Sequence, residues 1–208
     1  MIKLFRSAIY AGIAIGSAAF GYLAANIQPD IYGPLVGAIL FSFGLLTVVE
    51  YKIKLFTGTA GFINKNQVSD LLVVLFGNII GCLLMALITK VSPLDIEAAA
   101  YKVIDLRMKT GALGCGVLAI GCGFIMTTVV SFARKKQYLP LLFGVPLFIV
   151  CGFTHCVADA FTYLSLPADF LLANAAQILI IYISIVIGNF VGCNLYRIIL
   201  KKEQYTLE

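Results

Sequence analysis

One sextet occurs twice in this chain, as Gly77-Asn78-Ile79-Ile80-Gly81-Cys82 and as Gly188-Asn189-Phe190-Val191-Gly192-Cys193, each inside a long apolar run. Such a repeat obliges two stretches of the chain to solve one packing problem in one way. Upstream of each copy an apolar stretch is interrupted by small and polar residues, Leu55-Phe56-Thr57-Gly58 in the first half and Gly152-Phe153-Thr154-His155 in the second. Corresponding interrupted segments in two halves of a hydrophobic chain point to a solute path near the bilayer midplane.

The rest of the chain fits a membrane protein. Of its 208 residues 61% are hydrophobic and 12% charged, against roughly 45–50% and about 25% in soluble domains. A spanning helix needs roughly 20 apolar residues. Six windows qualify, at about 8–27, 34–51, 68–89, 111–133, 139–164 and 170–196, and almost nothing is left for a soluble domain. The first window follows Met1-Ile2-Lys3-Leu4-Phe5-Arg6 and contains Ser17-Ala18-Ala19, a pattern shared with secretory signal peptides. Its length and the five further spans predict a retained helix. In a six-span arrangement Lys3, Arg6, Lys52, Lys54, Lys65, Arg134, Lys135, Lys136, Arg197, Lys201 and Lys202 lie on one side; only Lys90, Lys102, Arg107 and Lys109 lie on the other. The positive-inside bias puts both termini in the cytoplasm of a multi-pass protein of the inner (cytoplasmic) cell membrane. This membrane-flanking charge accounts for the net +5 without a nucleic-acid partner.

The segment 90–110 separates two three-helix halves that enter the membrane from opposite sides. The expected fold is all-α: six transmembrane helices in a single domain over 1–208, arranged as inverted repeats at about 1–90 and 110–200, with the second and fifth helices broken. Within 90–110, Val91-Ser92-Pro93-Leu94-Asp95 precedes a helix-compatible, outward-facing 96–109, and 201–208 reads as a loose tail. Glycines four apart, such as Gly12 and Gly16, Gly77 and Gly81, or Gly188 and Gly192, let helix backbones approach in lipid. An amide in hydrocarbon is costly unless hydrogen-bonded, so Asn78 and Asn189 read as struts for the broken helices. The cysteines at 82, 115, 122, 151, 156 and 193 lie in apolar segments with no C-x-x-C and read as small buried hydrophobes. One histidine and no cofactor fingerprint argue against a thiol enzyme or a quinone-linked oxidoreductase, and no cofactor or metal is expected.

His155 is the only histidine and sits deep in the fifth window. An intramembrane ionisable residue is by default a functional-site candidate; the alternative is a neutral histidine bonded in a helix interface. Gly152 precedes it, Pro167 ends the segment, and Asp159 lies four residues on, within side-chain reach in a helix. Asp159 either bonds His155 or a basic side chain, or caps N–H groups at the break. In the first half, Leu55-Phe56-Thr57-Gly58-Thr59 follows Glu50, Lys52 and Lys54 and cannot continue a lipid-facing helix. Non-helical backbone at this depth is tolerated only where it is buried in protein or lines a cavity. A half-helix restarting at Gly58 would aim its free N–H groups and positive dipole end into that cavity, which favours an anion, with Thr57 facing His155 across the pseudo-twofold axis.

Taken in order, Leu55-Phe56-Thr57-Gly58, the two Gly-Asn-x-x-Gly elements, Cys122-Gly123 and Gly152-Phe153-x-His155-Cys156-x-Ala158 followed by Phe161 resemble the formate/nitrite transporter family of formate, nitrite and hydrosulfide channels. The resemblance implies an aquaporin-like six-helix protomer, assembled as a homopentamer with one pore per protomer. It implies Thr57 and His155 as the central pore pair, and Phe41, Leu45, Leu55, Phe56, Met126 and Phe148 as apolar constrictions above and below it. Arg107 stands approximately where the family places a basic residue, usually lysine, with Lys109 and Lys102 as alternatives. Three positions depart from the family pattern: Lys54 replaces a usual acidic residue, Thr154 a usual glutamate and Asp159 a usual asparagine.

The implied function is passage of small monovalent weak-acid anions, with protons as the second partner. Even the mildest insertion scales assign roughly 2.5–3.5 kcal/mol to a charge at the bilayer centre, so the anion would be drawn in by lysines and helix dipoles, protonated near His155 and passed on as the neutral acid. A histidine with a reference pKa of about 6.5 suits that transfer. An aquaporin-like channel for neutral solutes is the alternative within this architecture, though no proline follows Asn78 or Asn189 to make the Asn-Pro-Ala boxes of such channels.

Overall fold

A computed structural model describes residues 1–27 and 31–199, and all regular structure among them is helical. Lys201, Lys202 and the tail at 201–208, like the side chain of Lys65, lie outside the described residues. Among the described residues five helices are long and apolar enough to cross a membrane: α1 (Ile2–Ile27), α2 (Gly33–Glu50), α4 (Val68–Thr89), α5 (Ile96–Arg134) and α9 (Ala175–Cys193). A short α3 (Phe56–Ala60) follows α2 after a break. The window at 139–164 is likewise two shorter helices, α6 (Leu139–Val150) and α7 (Cys156–Leu164), so the expected fifth span is realised only as a broken pair. Two short helices, α8 (Ala168–Ala173) and α10 (Leu195–Ile199), flank α9.

Local signals set these boundaries. Pro34 and Pro140 sit in the first turns of α2 and α6, where a missing N–H costs nothing. Asp95 caps α5 by accepting the Ala98 N–H at 3.0 Å, and Asn64 and Gln67 form a capping box before α4. Gly111, at φ 73° and ψ 172°, divides α5 into a first helix at 96–110 and a second at 112–134. The helix-compatible part of the expected loop is therefore joined to the fourth span through one glycine.

The helices pair chiefly as α1 with α4 and α5 with α9. Both crossings bring backbone against backbone. A Cβ on Gly12 or Gly81 would collide with the carbonyls of Asn78 and Ile9; one on Gly123 or Gly192 would collide with those of Asn189 and Ile120. One register shift relates the two sets, so the two sextets build equivalent crossings. Packing of this kind replaces the hydrophobic drive that lipid does not supply.

Gly192→Leu should therefore abolish a monodisperse folded species. Overpacking ordinarily costs about 1–3 kcal/mol, and here the obstruction is backbone that cannot swing aside. Gly21→Ala, whose Cβ meets nothing within 4 Å, should leave the melting temperature in detergent unchanged or slightly raised, since alanine surpasses glycine in a helix by roughly 0.5–1 kcal/mol. Equal melting temperatures for the two variants would refute the assignment of the crossings.

Candidate functional site

The site begins with two matched chain breaks. At the end of α2, the N–H of Tyr51 bonds the Thr47 carbonyl, that of Lys52 bonds Val49 and that of Ile53 reaches back to Val48. At the end of α6, Cys151, Gly152 and Phe153 repeat the pattern onto Leu147, Ile149 and Phe148. Both are Schellman-like stops, and each needs one left-handed residue: Gly152 at φ 70° in the second and Lys52 at φ 53° in the first. The chain then runs extended through Leu55 or His155 before α3 or α7 restarts. The restart in the first half is at Phe56, two residues ahead of the expected Gly58, because the asparagine on α4 fixes the first N–H there.

Asn78 accepts the Phe56 N–H at 2.9 Å and donates to the carbonyls of Ala8 and Lys54 at 2.8 and 2.9 Å. Asn189 accepts the Cys156 N–H at 2.8 Å and donates to Ala119 and Thr154 at 2.9 and 3.0 Å. Both side chains are fully buried. The first N–H of each half-helix is therefore taken by the protein and not offered to a solute, contrary to the simplest expectation for α3. The sextet cysteines add a cross-link between halves. Cys82 donates through Sγ to the Val157 carbonyl and Cys193 to the Thr57 carbonyl, both at 3.3 Å. Of the six thiols only Cys151, at the α6 stop, is exposed.

Where the two breaks meet, Thr57 Oγ1 lies 2.9 Å from His155 Nε2. The other ring nitrogen is also engaged, since Nδ1 accepts the Ala158 N–H at 3.2 Å and so caps α7. A nitrogen that accepts an N–H carries no proton, so the ring is the neutral tautomer with its hydrogen on Nε2. That hydrogen is donated to Thr57. Both residues are buried, as are Phe41, Leu45, Leu55, Phe56, Met126 and Phe148. Phe41 and Phe148 meet edge to face at 5.9 Å, and Phe148 lies 6.0 Å from the imidazole.

Two cavities flank this junction. The first, of about 320 Å³, is lined by His155, Asp159, Arg107, Lys102, Phe41 and Phe148 together with Tyr22 and Asn26. The second, of about 720 Å³, is lined by Lys52, Lys54, Arg134, Lys136, Glu50 and Tyr138 with the α3 residues Gly58 and Thr59. Leu45 lies on α2 between Phe41 of the first cavity and Val48 of the second. Met126 lies on α5 between Arg107 and Val130 in the same way. Asp159 bonds Arg107, whose Nε and Nη2 donate to Oδ1 at 3.3 and 3.4 Å. Lys109 is not in this group: it is exposed and pairs with Asp105 one turn away. Lys102, the other alternative, does line the first cavity.

The sequence profile of formate/nitrite transporters matches residues 1–201. The chain belongs to that family. With its apolar helices it is a multi-pass membrane protein. Among curated relatives it is 28% identical over 184 residues to the formate channel FocA of three Escherichia coli strains, K12, CFT073 and O157:H7. The match covers 77% of this chain and 65% of the relatives' length. In fold it is similar to a pentameric formate channel solved with formate bound, at TM-score 0.77 and 24% identity over 94% of each chain. It is also similar to an FNT family ion channel, at TM-score 0.74 and 20% identity over 94% of this chain and 87% of that one.

Sequence reasoning missed the capping role of His155 and the thiol bonds of Cys82 and Cys193. The latter had a signal, because each cysteine ends a copy of the repeated sextet. Also missed was Lys90, which donates to the Ser165 carbonyl at 3.0 Å and so holds the C-terminal end of α7.

With a single histidine, the imidazole nitrogens give an unambiguous ¹⁵N spectrum. In detergent at neutral pH it should show the Nε2–H tautomer, and an Nδ1–H signal would overturn the cap. Asn78→Leu removes one acceptor and two donors from buried backbone groups. At about 1–3 kcal/mol for each group left unsatisfied, the variant should lose its folded species in a detergent melt, whereas the surface change Lys109→Gln should not shift the melt.

Proposed function

We propose that this protein is a channel for small monovalent weak-acid anions of the formate, nitrite or hydrosulfide kind, which cross its narrow centre as neutral acids after protonation near His155. The observation that carries the reading is the Thr57–His155 bond at the meeting point of two broken helices, between cavities whose walls hold Lys102 and the Arg107–Asp159 pair on one side and Lys52, Lys54, Arg134 and Lys136 on the other. Lys102 at the first cavity and the basic cluster at the second concentrate anions, while Arg107 is neutralised at rest by Asp159. The aromatic and aliphatic residues between the cavities exclude a hydrated charge, so a solute that can shed its charge by taking a proton has the lower barrier. The names of the relatives and of the similar structures agree with this class of substrate.

In this reading 1–208 is a single transmembrane channel domain of two inverted repeats at about 1–90 and 110–200. Phe41 and Phe148 form one constriction; Leu45, Leu55, Phe56 and Met126 form the other. The termini and the larger, lysine-rich cavity face the cytoplasm, since Lys52, Lys54, Arg134 and Lys136 share that cavity and positive charge is retained inside. The assembly is a homopentamer in the inner membrane. Membership of a transporter family weighs against an enzyme.

Proteoliposomes loaded with a pH dye test the reading with formate, nitrite and hydrosulfide supplied in turn at external pH 5.5 and 7.5. Wild type should take up at least one of them with internal acidification. His155→Ala should lose the proton-linked component, leaving at most a passive anion leak. Rapid water or glycerol equilibration without anion flux would mean a neutral-solute channel instead.

A further inference from the structure

The first cavity holds an anion already: the carboxylate of Asp159, bound to Arg107. Asp159 is buried and Arg107 largely so, with side-chain exposures of 4% and 12%, and both residues line the chamber beside His155. The geometry of the pair is lopsided. Both guanidinium bonds fall on Oδ1, at 3.3 and 3.4 Å, which is long for charge-assisted bonds that usually measure about 2.7–2.9 Å. The second oxygen, Oδ2, is buried and has no hydrogen-bond partner. A buried carboxylate oxygen left unmatched is costly unless something else reaches it.

The other ionisable groups around Asp159 cannot take its part. From α5 come Arg107, Lys102 at the cavity wall, and the thiols of Cys115 and Cys122. From α1 comes Tyr22, from α9 Tyr182, and from α4 Cys82, whose thiol is donated to Val157. On α7 itself are Cys156 and Tyr163, with His155 as its cap. The faces supplied by α2 and α6 are the rings of Phe41 and Phe148. Thiols and phenols are uncharged at working pH. The imidazole has both nitrogens committed, Nδ1 to Ala158 and Nε2 to Thr57, and a second proton on the ring would set Nδ1–H against the Ala158 N–H. Asp159 alone combines a negative charge with an unengaged acceptor atom.

We propose that Asp159 is the proton-holding group of this chamber and that a permeating weak-acid anion replaces its carboxylate on Arg107; this rests on the channel reading above. In the resting pair the charges of Arg107 and Asp159 cancel. A proton from water adds to Asp159 Oδ2, the carboxyl becomes neutral, and the guanidinium accepts the incoming anion in its place. The O–H bond on Asp159 then breaks as an O–H or S–H bond forms on the anion. The neutral acid leaves toward Thr57 and His155, and the carboxylate returns to Arg107. One anion and one proton are consumed and one acid molecule departs, with the pair restored. His155 donates its Nε2 hydrogen bond throughout and is a positioning residue in this step.

Infrared difference spectra of the reconstituted wild type on addition of formate, nitrite or hydrosulfide read the exchange directly. A protonated-carboxyl C=O band should appear with at least one of the three and be absent in Asp159→Asn. If Asn is not tolerated, Asp159→Glu should show the band at a shifted position. In formate flux assays corrected for protein-free liposomes, Asp159→Asn should lose the acid stimulation of protein-mediated uptake, its rates at pH 5.5 and 7.5 coming within about twofold of each other because the chamber no longer holds a carboxyl that can take up a proton, while Asp159→Glu keeps it. A wild type that transports but shows no ligand-dependent carboxyl band, or an Asp159→Asn variant with the wild-type pH ratio, would overturn the proposal. A carboxyl band without flux of any of the three solutes would support the exchange and sink the channel reading.

Discussion

Everything at the centre of this protein depends on two buried amides. A helix that stops and restarts inside a membrane leaves backbone N–H and C=O groups with no water to meet them, and such groups cost several kcal/mol each in hydrocarbon. Asn78 and Asn189 each engage three: the first N–H of the new half-helix, a carbonyl of the extended link before it, and a carbonyl of the neighbouring long helix. An amide presents both an acceptor and two donors from one short side chain, which no other residue of this size does. The glycines around each asparagine matter for the same reason, since they let the long helices come close enough for that short side chain to reach.

Much of this was legible in the sequence because membrane insertion leaves few options. Apolar windows marked the spans, and the doubled Gly-Asn-x-x-Gly-Cys pattern with its interrupted partner segments marked where the breaks would lie. Thr57 and His155 could be expected to face each other because each stands in one of the two interrupted segments, and they lie 2.9 Å apart. What could not be read is set by orientation and not by residue type. Whether Arg107, Lys102 or Lys109 reaches the chamber depends on the helical phase of 96–110 relative to Gly111, and a one-residue change in that phase would swing each side chain by about a quarter turn. The start of α3 at Phe56 depends on the reach of Asn78 from another helix. The commitment of His155 Nδ1 to a cap depends on the extended backbone of its own residue.

The two halves use the same frame for different ends. Leu55 and His155 occupy equivalent places before α3 and α7, and so do Thr57 and Val157 two residues later. An equivalent frame with unlike side chains puts one hydroxyl and one imidazole face to face while leaving the opposite corners apolar. The polar centre is thus a single hydrogen-bonded pair set in hydrocarbon, narrow in extent, with its charged residues held back in the two cavities.

The thiols of the sextets bear on how such a frame can move. Transporters built from inverted repeats commonly alternate access by rocking one repeat against the other. Here Cys82 of the first half holds the carbonyl of Val157 in the second, and Cys193 of the second holds that of Thr57 in the first. Asn194 and Arg197 reach Ala60 and Ile63, and Lys90 reaches Ser165. A rocking motion would have to shear these bonds together, at both ends and in the middle of the molecule. Relative motion of the halves would break this whole set of bonds at once, whereas rearrangement of a few side chains along the cavity walls would leave every one of them in place.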